Sequence, residues 1–274
     1  MRFVPTALFV LSMLAGCTPA GDSGSKALDP AAVGAGMEVV NAASIEEAVR
    51  YLSSDEMRGR GTGTADKERA AEWIAAELEA AGAVPLDGES MFQTVELIGF
   101  RKDADASSLV MRGPDGVIEH RDEVDFTWWP SNGAERVQLE DVPLVFVGHG
   151  ITAPEVGWDD FGGADVTGKI LVFLNDDPRV TEDGVELFEG ETRTYYGRWT
   201  YKFEQARDKG AVGAIVLHTD DSAGYGWQVI GHKGAEEQFG LDAPGAGYDL
   251  PLLAWMREDL AGQRFEPPLA GGGG

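Results

Sequence analysis

The sequence predicts a mixed α+β / α/β chain in two parts: two helices with few strands, then a β-rich domain with a flanking helix. Three observations carry this expectation. Apolar residues recur at helical spacing in Ile45/Val49/Leu52 and again in Ala70/Ile74/Leu78. From about Val142 short aliphatic runs follow one another, at residues 144–147, 170–174, 214–217 and 252–254. A single helical stretch at about 200–209, closed by Gly210, interrupts those runs.

Taken in order, Ser44-Ile45-Glu46-Glu47 fits a capping box that opens the first helix. Residues 54–63 form a loop whose glycines permit tight turns. The second helix spans about 65–81, with Gly82 as its C-cap. Residues 92–97 alternate as a strand. Runs at 109–112 and 117–120 flank Gly113-Pro114-Asp115-Gly116, a hairpin signal. No internal repeat is present.

The N-terminus reads as a targeting segment. Arg2 supplies a positive charge, residues 3–14 are mostly apolar but too short to span a bilayer comfortably, and Leu14-Ala15-Gly16-Cys17 follows. That tetrapeptide resembles a bacterial lipobox, in which Cys17 carries the lipid. Cys17 is the only cysteine, so a disulfide within the chain is excluded. The expected protein is exported and held on a membrane through Cys17, on the outer membrane or facing the periplasm. Residues 18–36 are rich in Gly, Ala, Ser and Pro and read as a flexible tether.

Charge narrows the partners. A net charge of −25 repels phosphate backbones and anionic lipid headgroups, which argues against nucleic acid. Hydrophobic residues at 43% with seven Trp argue for a folded protein over a disordered one.

Five blocks stand in order along the chain. They are residues 52–64 (LSSDEMRGRGTGT), 92–97 (FQTVEL), 148–155 with 157–161 (GHGITAPE, GWDDF), 195–202 (YYGRWTYK) and 210–214 (GAVGA). Together they resemble peptidase family M-twenty-eight, zinc exopeptidases of aminopeptidase type, in members that carry a protease-associated (PA) domain insert. The resemblance implies a lipoprotein signal at 1–17, a tether at 18–37 and the start of the α/β peptidase domain at 38–100. It implies a crossing segment at 101–139, a PA domain at 140–262 and a disordered tail at 263–274. It further implies that this chain is the N-terminal and PA-domain portion of an exported aminopeptidase, with the metal-binding portion lying beyond Gly274. The alternative is a stand-alone, non-catalytic lipoprotein whose PA domain binds peptides or a protein partner.

Members of that family hold two zinc ions with His and carboxylate ligands, and zinc polarises the carbonyl and acidifies a bound water. The family's first ligand motif reads His-x-Asp-His after an apolar strand. Here only His120-Arg121-Asp122 has the His-x-Asp form, without the second histidine. His120 therefore reads as a solvated hairpin end, His149 as part of a Gly-His-Gly turn, His218 as a strand end and His232 as a loop residue. No metal ligand and no catalytic residue is expected in this chain; the two zinc ions belong to the full-length family member. The expected partners are peptides or the missing peptidase portion.

Two features keep open alternatives. The segment 195–202 packs four aromatic residues and two cations into eight positions. It is either an aromatic plug or a peptide cleft lined by Tyr196, Arg198 and Tyr201, with Arg198 pairing a carboxylate. Arg60 is either an interdomain clamp onto a carboxylate or a substrate contact. The acidic pairs Asp159-Asp160, Asp176-Asp177 and Asp220-Asp221 lack an EF-hand pattern and read as solvated loop acids.

Overall fold

The structure, a computed structural model, describes residues 29–261 apart from 87, 114, 115, 130, 132, 133, 183, 184, 235, 236, 244 and 246. The expected signal with Cys17, most of the tether, the centre of the hairpin turn and the glycine tail lie outside the described residues. The chain divides between Val84 and Pro85 into two compact units.

The first unit holds α1 (Pro30–Val39), α2 (Ala42–Leu52), a 3-10 stretch at Asp55–Arg60 and α3 (Ala65–Ala80). Helix α1 corrects the expectation of a tether through residue 37. Asp29 caps it by accepting the Ala31 N–H, and Pro30 sits in the first turn, where a missing N–H costs nothing. None of its residues is buried, which explains why no apolar period announces it. Helix α2 also begins earlier than Ser44. Asn41 is the cap, its side chain accepting the Ser44 N–H. The interior of this unit is small. Met57 is fully buried, Tyr51 lies 5.1 Å from Trp73, and Arg58 donates to both oxygens of the buried Asp66 at 2.9 and 3.0 Å. The apolar stripe legible in the sequence stays exposed, with Ile45 at 54%, Val49 at 59%, Ile74 at 44% and Leu78 at 47%.

The second unit opens with β1 (Leu97–Phe100), β2 (Leu109–Gly113), β3 (Gly116–His120), β4 (Phe126–Trp129) and β5 (Leu144–Phe146). Short strands β6 (Thr152–Ala153) and β7 (Trp158–Asp159) precede β8 (Ile170–Leu174), and β9 (Thr181–Glu182) pairs with β10 (Val185–Glu186). Helix α4 (Trp199–Asp208), β11 (Gly213–His218), α5 (Asp220–Ala223), β12 (Gln238–Leu241), β13 (Leu252–Arg257) and α6 (Glu258–Ala261) complete it.

Its centre is a five-stranded sheet in the order β4-β13-β11-β8-β5. The strands β5, β8, β11 and β13 run parallel, and β4 closes one edge antiparallel to β13. Side chains alternate strictly. Leu171, Phe173, Ala214, Val216, Leu253 and Trp255 bury one face, with Phe203 and Ala206 of α4 packed among them. Ile170, Val172, Ile215, Leu217, Ala254 and Met256 bury the other, beside Met111 of the β2–β3 hairpin. Coverage of both faces is why these strands read as unbroken apolar runs and not as alternating ones.

Two expected boundaries fall inside this unit. Residues 101–139, expected as a crossing segment, supply β4 to the central sheet, and β1 pairs with β12 from Leu97↔Leu241 to Phe100↔Gln238. Residues 92–96 form no strand, because β12 extends only as far as the partner of Leu97. The hairpin β2–β3 forms in the expected register, but His120 at its end is buried and not solvated. Among the described residues no helix is long and apolar enough to cross a membrane.

Candidate functional site

In a parallel sheet the carboxyl ends of all strands emerge on one edge, and the loops that leave it are free to form a site. Here that edge carries two constructions, one over β5 and β8 and one over β11 and β13.

The first is built on Lys202. Helix α4 carries this residue on the side facing the sheet, and its side chain is fully buried. The ammonium donates to the carbonyls of His149 at 2.7 Å, Asp176 at 2.9 Å and Tyr196 at 2.7 Å. Three N–H groups thus meet three backbone acceptors from three separate loops. Burial pushes the Lys202 ammonium down to about 7, while Asp177, Asp160 and Asp176 oppose that shift. The Gly-His-Gly turn fits beneath it. His149 Nδ1 lies 2.8 Å from the Asp176 carbonyl, and Gly150 has φ +61°, where an added Cβ would come 2.3 Å from the Phe173 ring. Burial lowers the basicity of His149.

The acids near this clasp are used internally. Asp177 is buried and accepts from the Thr194 N–H at 2.9 Å and from its hydroxyl. Asp160 accepts from the Ile151 N–H and from Trp158 Nε1, both at 2.9 Å. The reading of these two as solvated loop acids is thereby corrected: short loops bury backbone N–H groups, and the aspartates satisfy them.

Tyr196 and Tyr201 stand 5.1 Å apart at 85°, and Tyr196 meets Phe188 edge-on at 5.7 Å. Tyr201 is buried, its oxygen accepting the Thr152 N–H at 3.1 Å, while the Tyr196 hydroxyl donates to Glu155. Arg198 projects into solvent at the start of α4. The structure therefore joins the two tyrosines in one aromatic cluster. Arg60 is exposed at φ +53°; Arg58 and Arg69, not Arg60, grip the buried Asp66.

The second construction is an open cleft of about 650 Å³ at the ends of β11 and β13. His218 and Arg257 are register partners there, and the chain continues from them into Thr219-Asp220 and Glu258-Asp259. Trp227 forms another wall, anchored by its Nε1, which donates to the Glu123 carbonyl at 2.9 Å. Arg257 is committed to Asp259 through two bonds, at 3.1 and 2.7 Å. His218 is 4% exposed, ringed by Tyr225, Trp227 and Trp255 with centroids at 5.7, 5.5 and 6.1 Å. Burial holds its imidazole below the ordinary histidine range, against the pull of Asp220. Its Nε2 has no hydrogen-bond partner.

Sequence reasoning located His218 at a strand end but missed Arg257, Glu258 and Trp227. A strand carried three residues past 254 would have placed Arg257 beside His218. It also missed Lys102, a buried ammonium paired with the buried Asp122 and 3.3 Å from the Thr127 hydroxyl. Among the described residues no group of three or more His, Cys, Asp or Glu is arranged to hold a metal ion.

No protein-family model matches the chain, and no curated protein sequence matches it. Among solved structures, an aminopeptidase from Aneurinibacillus sp. strain AM-1 is similar at 16% identity and a TM-score of 0.36, over 81% of this chain and 40% of that one. This chain thus spans about 40% of that aminopeptidase's length, and a likeness at this level carries no argument about shared activity.

Proposed function

We propose that this chain is the N-terminal and PA-type portion of an exported, lipid-anchored zinc aminopeptidase, and that its second unit is a recognition module without catalytic residues of its own. The observation that carries this reading is the ordered set of five sequence blocks, 52–64, 92–97, 148–161, 195–202 and 210–214. Two of the five meet at the Lys202 clasp. The Gly-His-Gly turn and the 195–202 segment are joined there by one ammonium. On this reading Cys17 holds the protein at a membrane, and the carboxyl edge of the sheet meets peptides. Tyr196 and Tyr201 wall the neighbouring surface, and the exposed Arg198 pairs with a peptide carboxylate. Arg60 serves at the interface with the metal-binding portion, which would hold both zinc ions.

The test is the native reading frame beyond the Gly274 codon. An open frame encoding His-x-Asp-His after an apolar strand supports the aminopeptidase portion. A stop codon there, with stable protein made from it, favours the second reading: a stand-alone lipoprotein that binds peptides or a protein partner.

A further inference from the structure

The two-stranded sheet of β1 and β12 contributes no residue to the buried core, and its edges are unguarded. The Asp242 N–H donates to the Glu96 carbonyl at 3.0 Å, so these two residues form a hydrogen-bonded pair of the antiparallel ladder. Alternation makes Ile98 with Gly240 and Phe100 with Gln238 the next bonded pairs. The backbone N–H and C=O groups of Leu97 and Gly99 therefore point outward from β1, and among the described residues no group pairs with them. Exposed edges are ordinarily blunted by a charge, a proline or a bulge. The other two-stranded sheets each hold a charge within a strand, Glu119 in β3, Asp159 in β7 and Glu182 in β9. Neither Leu97–Phe100 nor Gln238–Leu241 contains a charge or a proline.

The side chains define what fits there. Leu97, Leu241 and Phe239 share one face and are 43%, 57% and 39% exposed. The Phe239 ring leans over Gly99, where an added Cβ would stand 3.3 Å from it, so apolar surface reaches the edge of β1. On the opposite face Glu96 and Asp242 stand across from one another, both exposed, with no ion-pair partner among the described residues. The nearest cation in sequence, Arg101, lies just beyond the other end of β1. Like charges directly opposite destabilise a ladder, and a cation brought between them removes that repulsion.

We propose that the outer edge of β1 is a docking edge for an extended peptide segment in which apolar and basic residues alternate. Added as a third strand, the segment bonds to the main chain of Leu97 and Gly99 and lays its apolar side chains beside Leu97 and Phe239. Its cations, on the other face, meet Glu96 and Asp242. A third strand also supplies the width that a two-stranded ribbon lacks for independent stability. An acidic segment is disfavoured by the same two carboxylates. The proposal goes beyond the function proposed above, which the reading frame past Gly274 tests separately.

The experiment titrates the full chain into a fluorescein-labelled hexapeptide of alternating lysine and valine and follows anisotropy. Salt at about 0.15 M screens attraction to the net charge alone. The controls are a peptide with its lysines and valines in two blocks, and two isomers N-methylated on alternate amides. Binding of the alternating peptide, with the block peptide and one N-methyl isomer failing, supports strand addition, because only one set of amides faces β1. Leu97→Pro removes an outward N–H while leaving the bonds to β12 in place, and should weaken binding about tenfold. Should that variant also lower the melting temperature, the N-methyl pair decides alone. Glu96→Gln should weaken binding about threefold. Equal binding of the block peptide, equal binding of both N-methyl isomers, or no binding up to about 1 mM each overturns the proposal. A dimer of the chain in sedimentation that Leu97→Lys dissociates overturns it in favour of a second copy on this edge.

Discussion

Replacing Lys202 by Met removes one ammonium and leaves its alkyl volume nearly unchanged, so the effect isolates the clasp. Three carbonyls, those of His149, Asp176 and Tyr196, lose their shared donor. Each buried carbonyl left unpaired costs about 1–3 kcal/mol, so the gross penalty is about 3–9 kcal/mol. Relief from burying a charge offsets several kcal/mol of that, and the net loss expected is about 3–5 kcal/mol. The assay is urea unfolding followed by tryptophan fluorescence, with the slope checked for constancy so that midpoints report stability.

The pH dependence supplies a second readout. The Lys202 ammonium titrates at about 7 in the folded chain, against an ordinary value of 10.5. Between those values the unfolded chain binds more protons, so this group makes stability rise with pH through that window. The wild-type advantage over Lys202→Met should therefore widen as pH increases above about 7, by at most about 1.4 kcal/mol per pH unit. A loss under about 1 kcal/mol at pH 7, with parallel pH profiles for the two proteins, would refute the clasp.

Other substitutions test the frame around it. Gly150→Ala forces a Cβ into the Phe173 ring at a left-handed residue and should cost about 2–4 kcal/mol, read as a lowered melting temperature. Phe203→Ala opens a cavity under α4 and should cost about 3–5 kcal/mol in urea unfolding. Asp66→Ala frees Arg58 and Arg69 and should accelerate hydrogen exchange at residues 55–70 by about tenfold, a local loss of about 1–2 kcal/mol. In the unsubstituted chain, amides of α1 should exchange within the dead time of the method, whereas those of β8 and β11 stay protected. Equal protection in the two regions would contradict the absence of buried residues in α1.

Much of this architecture is legible in the sequence, and the residues show why. Ile170 to Leu174 and Gly213 to His218 are apolar at nearly every position, a pattern that only a strand covered on both faces accommodates, so local composition alone located them. Gly210 ended α4, and Gly113 with Gly116 bracketed the hairpin, because backbone sterics act within a few residues. Tertiary structure decided the rest. The pairing of β4 with β13 and of β1 with β12 joins residues more than a hundred positions apart, and no local period records such a partner. Lys202 looked like an ordinary helix lysine until three loops converged on it. His218, Glu258 and Trp227 became one cleft only because two parallel strands end in register, which is a property of the sheet and not of any segment. Sequence determines which segments must be buried; where their polar ends meet depends on the order in which the strands assemble.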